Sequence, residues 1–279
     1  MATPAPAFEL DPGLWNQTLY GKMREFWFGN IPAGSETPPM EQMKKWFGIA
    51  QSPEVKKEMD SQCKAMAEPA LNSITPEHLT LPAFKKYEDE QAQAETLAAP
   101  FLHEVETARQ QGEEMASQTL LSVILLLDQM PRNILREQHE LPLVYNHYDR
   151  LAYALVMGSL EKTPELFTHP SVQNRMYWMW LLMPLTHSEH LPSHRRLYEL
   201  GEQFAKNANE PKEGAVADYA RSWFKAYGQH YEPIEKFGRF PHRNQCLGRM
   251  TTLEETKYLQ TADTFGVEQK EAKQTKDEL

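Results

Sequence analysis

The stretch SQTLLSVILLLDQMPRN, residues 117 to 133, constrains the fold of this 279-residue chain more than any other. From Leu120 to Leu127 every residue except Ser122 is apolar, so no rotation of the segment gives it a water-facing side. Val123, Ile124 and the leucines would suit a buried strand, but the length of the run, its flanks and the boundary at Pro131 favour a buried helix. A central helix of this kind needs a shell of amphipathic helices around it.

The rest of the chain has that pattern. Trp15, Leu19, Met23, Phe26 and Trp27 recur at near-helical spacing within 13 to 28, and Gly29 can stop that helix. A short helix is expected over 40 to 47, closed by Gly48, and Ser52 with Pro53 can open another. Residues 71 to 92 read as an irregular insertion. Helical character returns over 93 to 110, 141 to 158, 176 to 185 (interrupted at Pro184) and 216 to 234. Ser188 is a candidate cap for a helix with Leu191, Leu197, Leu200 and Phe204 inward, and Thr252 with Glu255 matches a capping box opening a last helix to about 259. Alternating strands, glycine-rich strand-to-helix turns and P-loop spacing are absent. The expected class is all-α, built of packed helical hairpins. Residues 1 to 11 are expected as a flexible arm, 12 to 260 as a single domain and 261 to 279 as a polar tail.

The formal charge of −10 argues against a nucleic-acid binder, which needs a concentrated basic surface. A mean hydropathy of −0.64 and the lack of an apolar run near the roughly 20 residues that span a bilayer argue against integral membrane association. Cys63 and Cys246 are isolated thiols that suit a reducing compartment, so a cytoplasmic location is expected. The terminal KDEL resembles a lumenal retention address, but it acts only after a signal sequence, and the first 30 residues contain no such apolar run. Residence in the endoplasmic-reticulum lumen is the lesser alternative.

Three stretches can carry chemistry. Asp128, Gln129, Arg132 and Asn133 follow the apolar run, where a buried charge requires a partner or ligand; a structural ion pair, with Asn133 capping the turn, is the plain alternative. THSEHLPSH offers His187, Glu189, His190 and His194. The i,i+4 histidines could hold a metal, but Pro192 intervenes and HExxH is absent, so no metal site is assigned; His187 and Glu189 better suit an acid/base pair or a helix tie. In FGRFPHRNQCLGR, Arg239, His242, Arg243, Asn244 and Arg249 lie among phenylalanines, glycines and Pro241. That mixture favours a shaped anion-recognition wall over a solvated basic loop. Trp27, Trp46, Trp178 and Trp180 read as core rather than pocket lining, whereas Tyr145 and His147 are polar-site candidates and Asp149 can satisfy Arg132 or Arg150.

FWFG at 26 to 29, LLLDQMPRN at 125 to 133, MPLTHSE at 183 to 189 and FGRFPHRNQCLGRMTTLEE at 237 to 255 together resemble the DUF924 family, named for its unknown function. The resemblance spans most of residues 20 to 260. It implies an all-helical fold similar to tetratricopeptide-repeat proteins and places the family's signature polar residues on Asp128, Gln129, Arg132 and Asn133, on His187, Ser188 and Glu189, and on Arg239, His242, Arg243, Asn244 and Arg249. It supplies no reaction. The chain departs from the family's usual pattern in continuing REQHEL from Arg136 where a glycine is common, in His194 where glutamine is usual, in Lys236 where arginine is common, and in an enlarged 71 to 92 connection.

The leading expectation is a small-molecule enzyme. Arg132, Arg239 and Arg243, with Asn133, Asn244 and Arg249, would hold an anionic substrate; His187 or His242 would move a proton; Glu189 or Asp128 would orient that histidine. The alternatives are a noncatalytic binder of an acidic peptide or carboxylate, and a purely structural polar network. No cofactor is indicated. A homodimer is an acceptable assembly, but no interface is legible.

Overall fold

In the computed structural model, residues 8–31, 35–49, 51–172, 174–207, 211–267 and 269 are described. They are helical with no strand among them. In chain order the helices are α1 (Gln17–Phe28), α2 (Met40–Phe47), α3 (Pro53–Asn72), α4 (Tyr87–Ala92), α5 (Ala94–Leu97), α6 (Ala99–Arg109), α7 (Glu113–Ile134), α8 (Leu141–Leu143), α9 (Asp149–Lys162), α10 (Arg175–Leu181), α11 (Met183–Thr186), α12 (Leu191–Asn207), α13 (Ala215–Phe237) and α14 (Leu253–Leu259). A π-helical turn, Val144–Tyr148, joins α8 to α9, and short 3₁₀ turns span Pro164–Phe167 and Pro241–Arg243. None of the described helices is long and apolar enough to cross a membrane.

The apolar run forms the middle of α7, which packs against α1, α3, α6, α9 and α10. Apart from half-buried Gln118, its side chains from Ala116 to Pro131 are buried, each large aliphatic one contributing on the order of 1.5–3 kcal/mol. Pro131 lies inside α7 instead of bounding it. Proline withholds one amide donor, but the following turn still closes, with Leu135 N–H donating to Pro131 O at 2.8 Å and the Asn133 side-chain amide to Gln129 O at 2.8 Å.

On one flank of α7 the tryptophans form an apolar cluster. Trp180 meets Trp27 edge-on at 5.1 Å and Trp46 at 5.3 Å, and Trp46 Nε1 donates to Trp27 O at 2.8 Å. Several local expectations shift. Helix α3 runs to Asn72 and α4 begins at Tyr87, leaving 73 to 86 as the irregular stretch; 93 to 110 divides at Ala98, and 176 to 185 divides at Leu182, two residues before Pro184. Ser188 caps no helix, because its hydroxyl donates to Leu185 O at 2.7 Å. The capping box of Thr252 and Glu255 forms as expected. Beyond α14 the described part of the tail packs back on the protein: Val267 is buried and Phe265 stacks on His230. The KDEL residues lie outside the described residues.

Candidate functional site

The polar end of α7, the π-turn ahead of α9, the end of α11, the last third of α13 and the 3₁₀ turn Pro241–Arg243 meet at one place. Asp128 is fully buried there. Its Oδ1 is 2.7 Å from His187 Nδ1, and its Oδ2 accepts from Gln129 Nε2 at 2.5 Å. One turn on, Arg132 forks onto Asp149 at 2.8 and 3.0 Å and lies 3.9 Å from Asp128 Oδ1. Asp149 Oδ2 is in turn 3.7 Å from Arg243 Nη1. His187, Asp128, Arg132, Asp149 and Arg243 thus form one chain of charge contacts, with an imidazole at one end and a guanidinium at the other.

Arg243 is the least satisfied member. It is 5% exposed, its guanidinium lies over the rings of Tyr145 (4.2 Å) and Phe240 (4.4 Å), its ion pair with Asp149 is long, and its Nε has no hydrogen-bond partner. The π-turn helps to make this arrangement, since its wider winding ends at Asp149 and contains Tyr145. His147, in the same turn, faces away and bonds Ile74 O at 2.6 Å.

The other arginines of the loop shape it. Gly238, left-handed at φ 68°, ends α13 and turns the chain into the loop. Glu189 accepts from Arg249 at 2.6 and 2.9 Å and from Phe240 N–H at 2.8 Å, clasping the loop to the α11–α12 corner. Arg239 forks onto Glu255 at 2.6 and 2.9 Å, and buried Asn244 donates weakly to Glu255 and Thr251. Asn133 bonds Gln129 O and accepts from Arg136. Arg239, Arg249, Asn244, Asn133 and Glu189 are thus each engaged with partners in the fold, although Arg249 Nε and Asn244 Oδ1 have none. Of the two carboxylates expected to orient a histidine, Asp128 contacts His187 and Glu189 contacts Arg249.

Burial and charge set the protonation states. Burial alone would raise the Asp128 carboxyl, but His187, Arg132 and their hydrogen bonds hold it below its ordinary value. Burial, then Arg132, push the His187 imidazole down against the opposing pull of Asp128. Arg132 stands beside both groups, which favours the carboxylate and disfavours an imidazolium, so the pair rests as Asp⁻ and neutral His. With Nδ1–H donated to Asp128, the lone pair of His187 is on Nε2. His242 is pushed down to about 2 by burial and then by Arg243. A group held there is uncharged at neutral pH.

Two contributors were missed in the sequence. His230 lies 5.8 Å from His187, with its own value well below the ordinary one through burial and then His187; it follows Tyr227 and precedes Ile234 on the inner stripe of α13, a periodicity that could have flagged it. Tyr87 accepts from Glu189 N–H at 2.9 Å and comes from the segment read as irregular, where no pattern marks it. With Asp149, His187 and Ser188 it lines a small cleft whose water-accommodating volume is about 10 Å³, room for one water. His190 and His194 do not converge: one bonds Ser193 Oγ and the other Ser188 O. Among the described residues, no group of three or more His, Cys, Asp or Glu side chains is arranged to hold a metal ion.

Comparison with solved structures finds one described as a protein of unknown function from Agrobacterium tumefaciens, 21% identical, with a TM-score of 0.47 over 89% of this chain and 98% of that one. No curated protein matches. The family described as "Bacterial protein of unknown function (DUF924)" matches residues 23–263, which include the polar end of α7, His187 and the whole arginine loop, and the chain belongs to that family.

Proposed function

We propose that this chain is a small-molecule enzyme that holds an anionic group at Arg243 and uses His187 Nε2 as a general base. The observation that carries the reading is the charge chain. It fixes a neutral, oriented imidazole at one end and leaves at the other a buried guanidinium whose donors are not used up. Asp128 orients His187, Arg132 keeps the pair in its Asp⁻/neutral His form, and His230 and His242 form uncharged walls. Three carboxylates (Asp128, Asp149, Glu189) face three guanidiniums (Arg132, Arg243, Arg249), so anion affinity rests on the incomplete pairing of Arg243, with no excess of positive charge behind it. A tetratricopeptide-repeat-like arrangement of the hairpins, implied by the family resemblance, belongs to this proposal. So does a cytoplasmic location, which the two free cysteines suit.

A second reading, a closed structural network, is favoured by the water-sized cleft. Two measurements separate them. Nitrogen-15 NMR of the imidazoles at pH 7 should show His187 neutral with its proton on Nδ1, and Asp128→Asn should disturb that tautomer. Calorimetry should show inorganic phosphate binding that Arg243→Ala abolishes. A His187 imidazolium, or no phosphate binding to the unaltered protein, would leave the structural reading in place.

A further inference from the structure

The ring of Phe265 occupies a slot between imidazoles of the site. It stacks on His230 at 4.1 Å and 28°, and meets His242 edge-on at 5.2 Å. Phe240 closes the slot from behind, 6.2 Å from His230 and 5.3 Å from His242. The slot is therefore walled by aromatic faces, and since both imidazoles are held neutral by burial the walls are uncharged.

Phe265 is only partly enclosed by this slot. It is 36% exposed and is the one non-glycine residue among those described with positive φ, at 53°, a left-handed conformation that strains a β-carbon-bearing residue. A local turn keeps it there, with Asp263 Oδ1 accepting from Phe265 N–H at 2.7 Å and Gly266 also left-handed at φ 80°. Beyond it the segment is tied by buried Val267 and by Gln269, whose side-chain amide donates to His242 O at 3.1 Å. Removing this turn would open the histidine walls without disturbing the contacts among Asp128, Arg132 and Asp149.

We infer that Phe265 is a place-holder for a ring of the ligand: the site takes a small aromatic anion, whose ring replaces Phe265 between His230 and His242 while its anionic group reaches Arg243. The inference rests on the anion site proposed above and adds the ring. Arg243 adjoins His242 in the chain and its guanidinium lies 4.4 Å from the Phe240 ring that closes the slot, so slot and guanidinium share a wall along which one small molecule would reach both. The water-sized cleft beside His187 belongs, on this view, to the form in which the chain's own phenylalanine fills the ring position.

The test is calorimetric titration of the full chain and of Phe265→Ala with phenyl phosphate, cyclohexyl phosphate and inorganic phosphate. The expected result is that Phe265→Ala binds phenyl phosphate about fivefold more tightly than the unaltered protein does, prefers it to cyclohexyl phosphate by a similar factor, and leaves inorganic phosphate unchanged. Phe265→Leu, which keeps apolar cover and loses the stacking, should give the same order in smaller measure and guards against a folding defect in the alanine variant. If inorganic phosphate binds through Arg243 and phenyl phosphate gains nothing from either variant, the ring assignment is overturned and the anion site stands. If none of the three compounds binds either variant, both fall together.

Discussion

Two regions flank α7 and are held by opposite means. Around Trp27, Trp46 and Trp180 the contacts are ring against ring, and the Trp180 indole nitrogen has no hydrogen-bond partner. Around Asp128, Arg132 and Asp149 nearly every contact is a charge-assisted hydrogen bond. The aromatic region is stabilised by area and shape, so the loss of any ring costs roughly what its volume dictates. The polar region is close to break-even as a whole, because pairing must first offset desolvation; its cost appears when one partner is removed and the other stays. Stability therefore resides mainly in the first region, and the proposed chemistry would lie in the second.

The largest expected effect is in the aromatic region. Trp180→Ala should lower the unfolding free energy by about 4 kcal/mol, read from chemical denaturation, and leave phosphate binding per folded molecule unchanged. A change in binding of the folded fraction would show that the two flanks are coupled through α7. Next, Asp149→Ala should cost about 3 kcal/mol by stranding Arg132 and Arg243. Added phosphate should recover part of that loss, and the variant should bind phosphate more tightly than the unaltered protein. Destabilisation with no rescue by phosphate would mark the cluster as structural only.

The comparison also predicts different responses to pH. His194 is pushed down to about 4 and His242 to about 2, both mainly by burial. Between the ordinary histidine value near 6.5 and those depressed values, the unfolded chain takes up protons that the folded chain refuses, so stability falls as pH falls. Each group contributes about 1.4 kcal/mol per pH unit below roughly pH 6. Trp180→Ala should shift the whole stability curve downward and keep its slope between pH 6 and 5. His194→Gln, which can still donate to Ser188 O, should flatten the slope. An unchanged slope in the histidine variant would mean that His194 is not neutral in the folded protein.

The two regions also differed in legibility. The aromatic one could be read from spacing alone, because burying Trp27 or Trp180 needs only an apolar face at helical period. For the polar one, residue types on α7 and in the arginine loop could be recognised, but not which arginine is left over. Arg239, Arg243 and Arg249 look alike in FGRFPHRNQCLGR; they differ because Glu255 and Glu189, 16 and 60 residues away along the chain, reach the first and last. The π-turn that precedes Asp149 and the fold-back of Phe265 onto His230 are likewise tertiary outcomes, settled by packing against neighbours that no local pattern encodes.

The smallest expected effect tests whether those outer arginines are scaffold. Thr252 accepts from Glu255 N–H at 3.2 Å, and Glu255 returns a carboxylate oxygen to Thr252 N–H at 2.7 Å while also holding Arg239. Thr252→Ala removes one cap bond and should cost about 1 kcal/mol, since Arg239 still fixes the glutamate. Glu255 is held down at about 2, chiefly by the Arg239 hydrogen bond, so its contribution is complete above the ordinary carboxyl value and fades as pH falls toward 2. Above pH 5 the variant should therefore show a constant, pH-independent loss in denaturant titrations, parallel to the unaltered protein. Phosphate affinity should be the same in both proteins. If this variant weakened phosphate binding severalfold, the Arg239–Glu255 brace would be part of the anion site, and the division between framing arginines and a binding arginine would have to be redrawn.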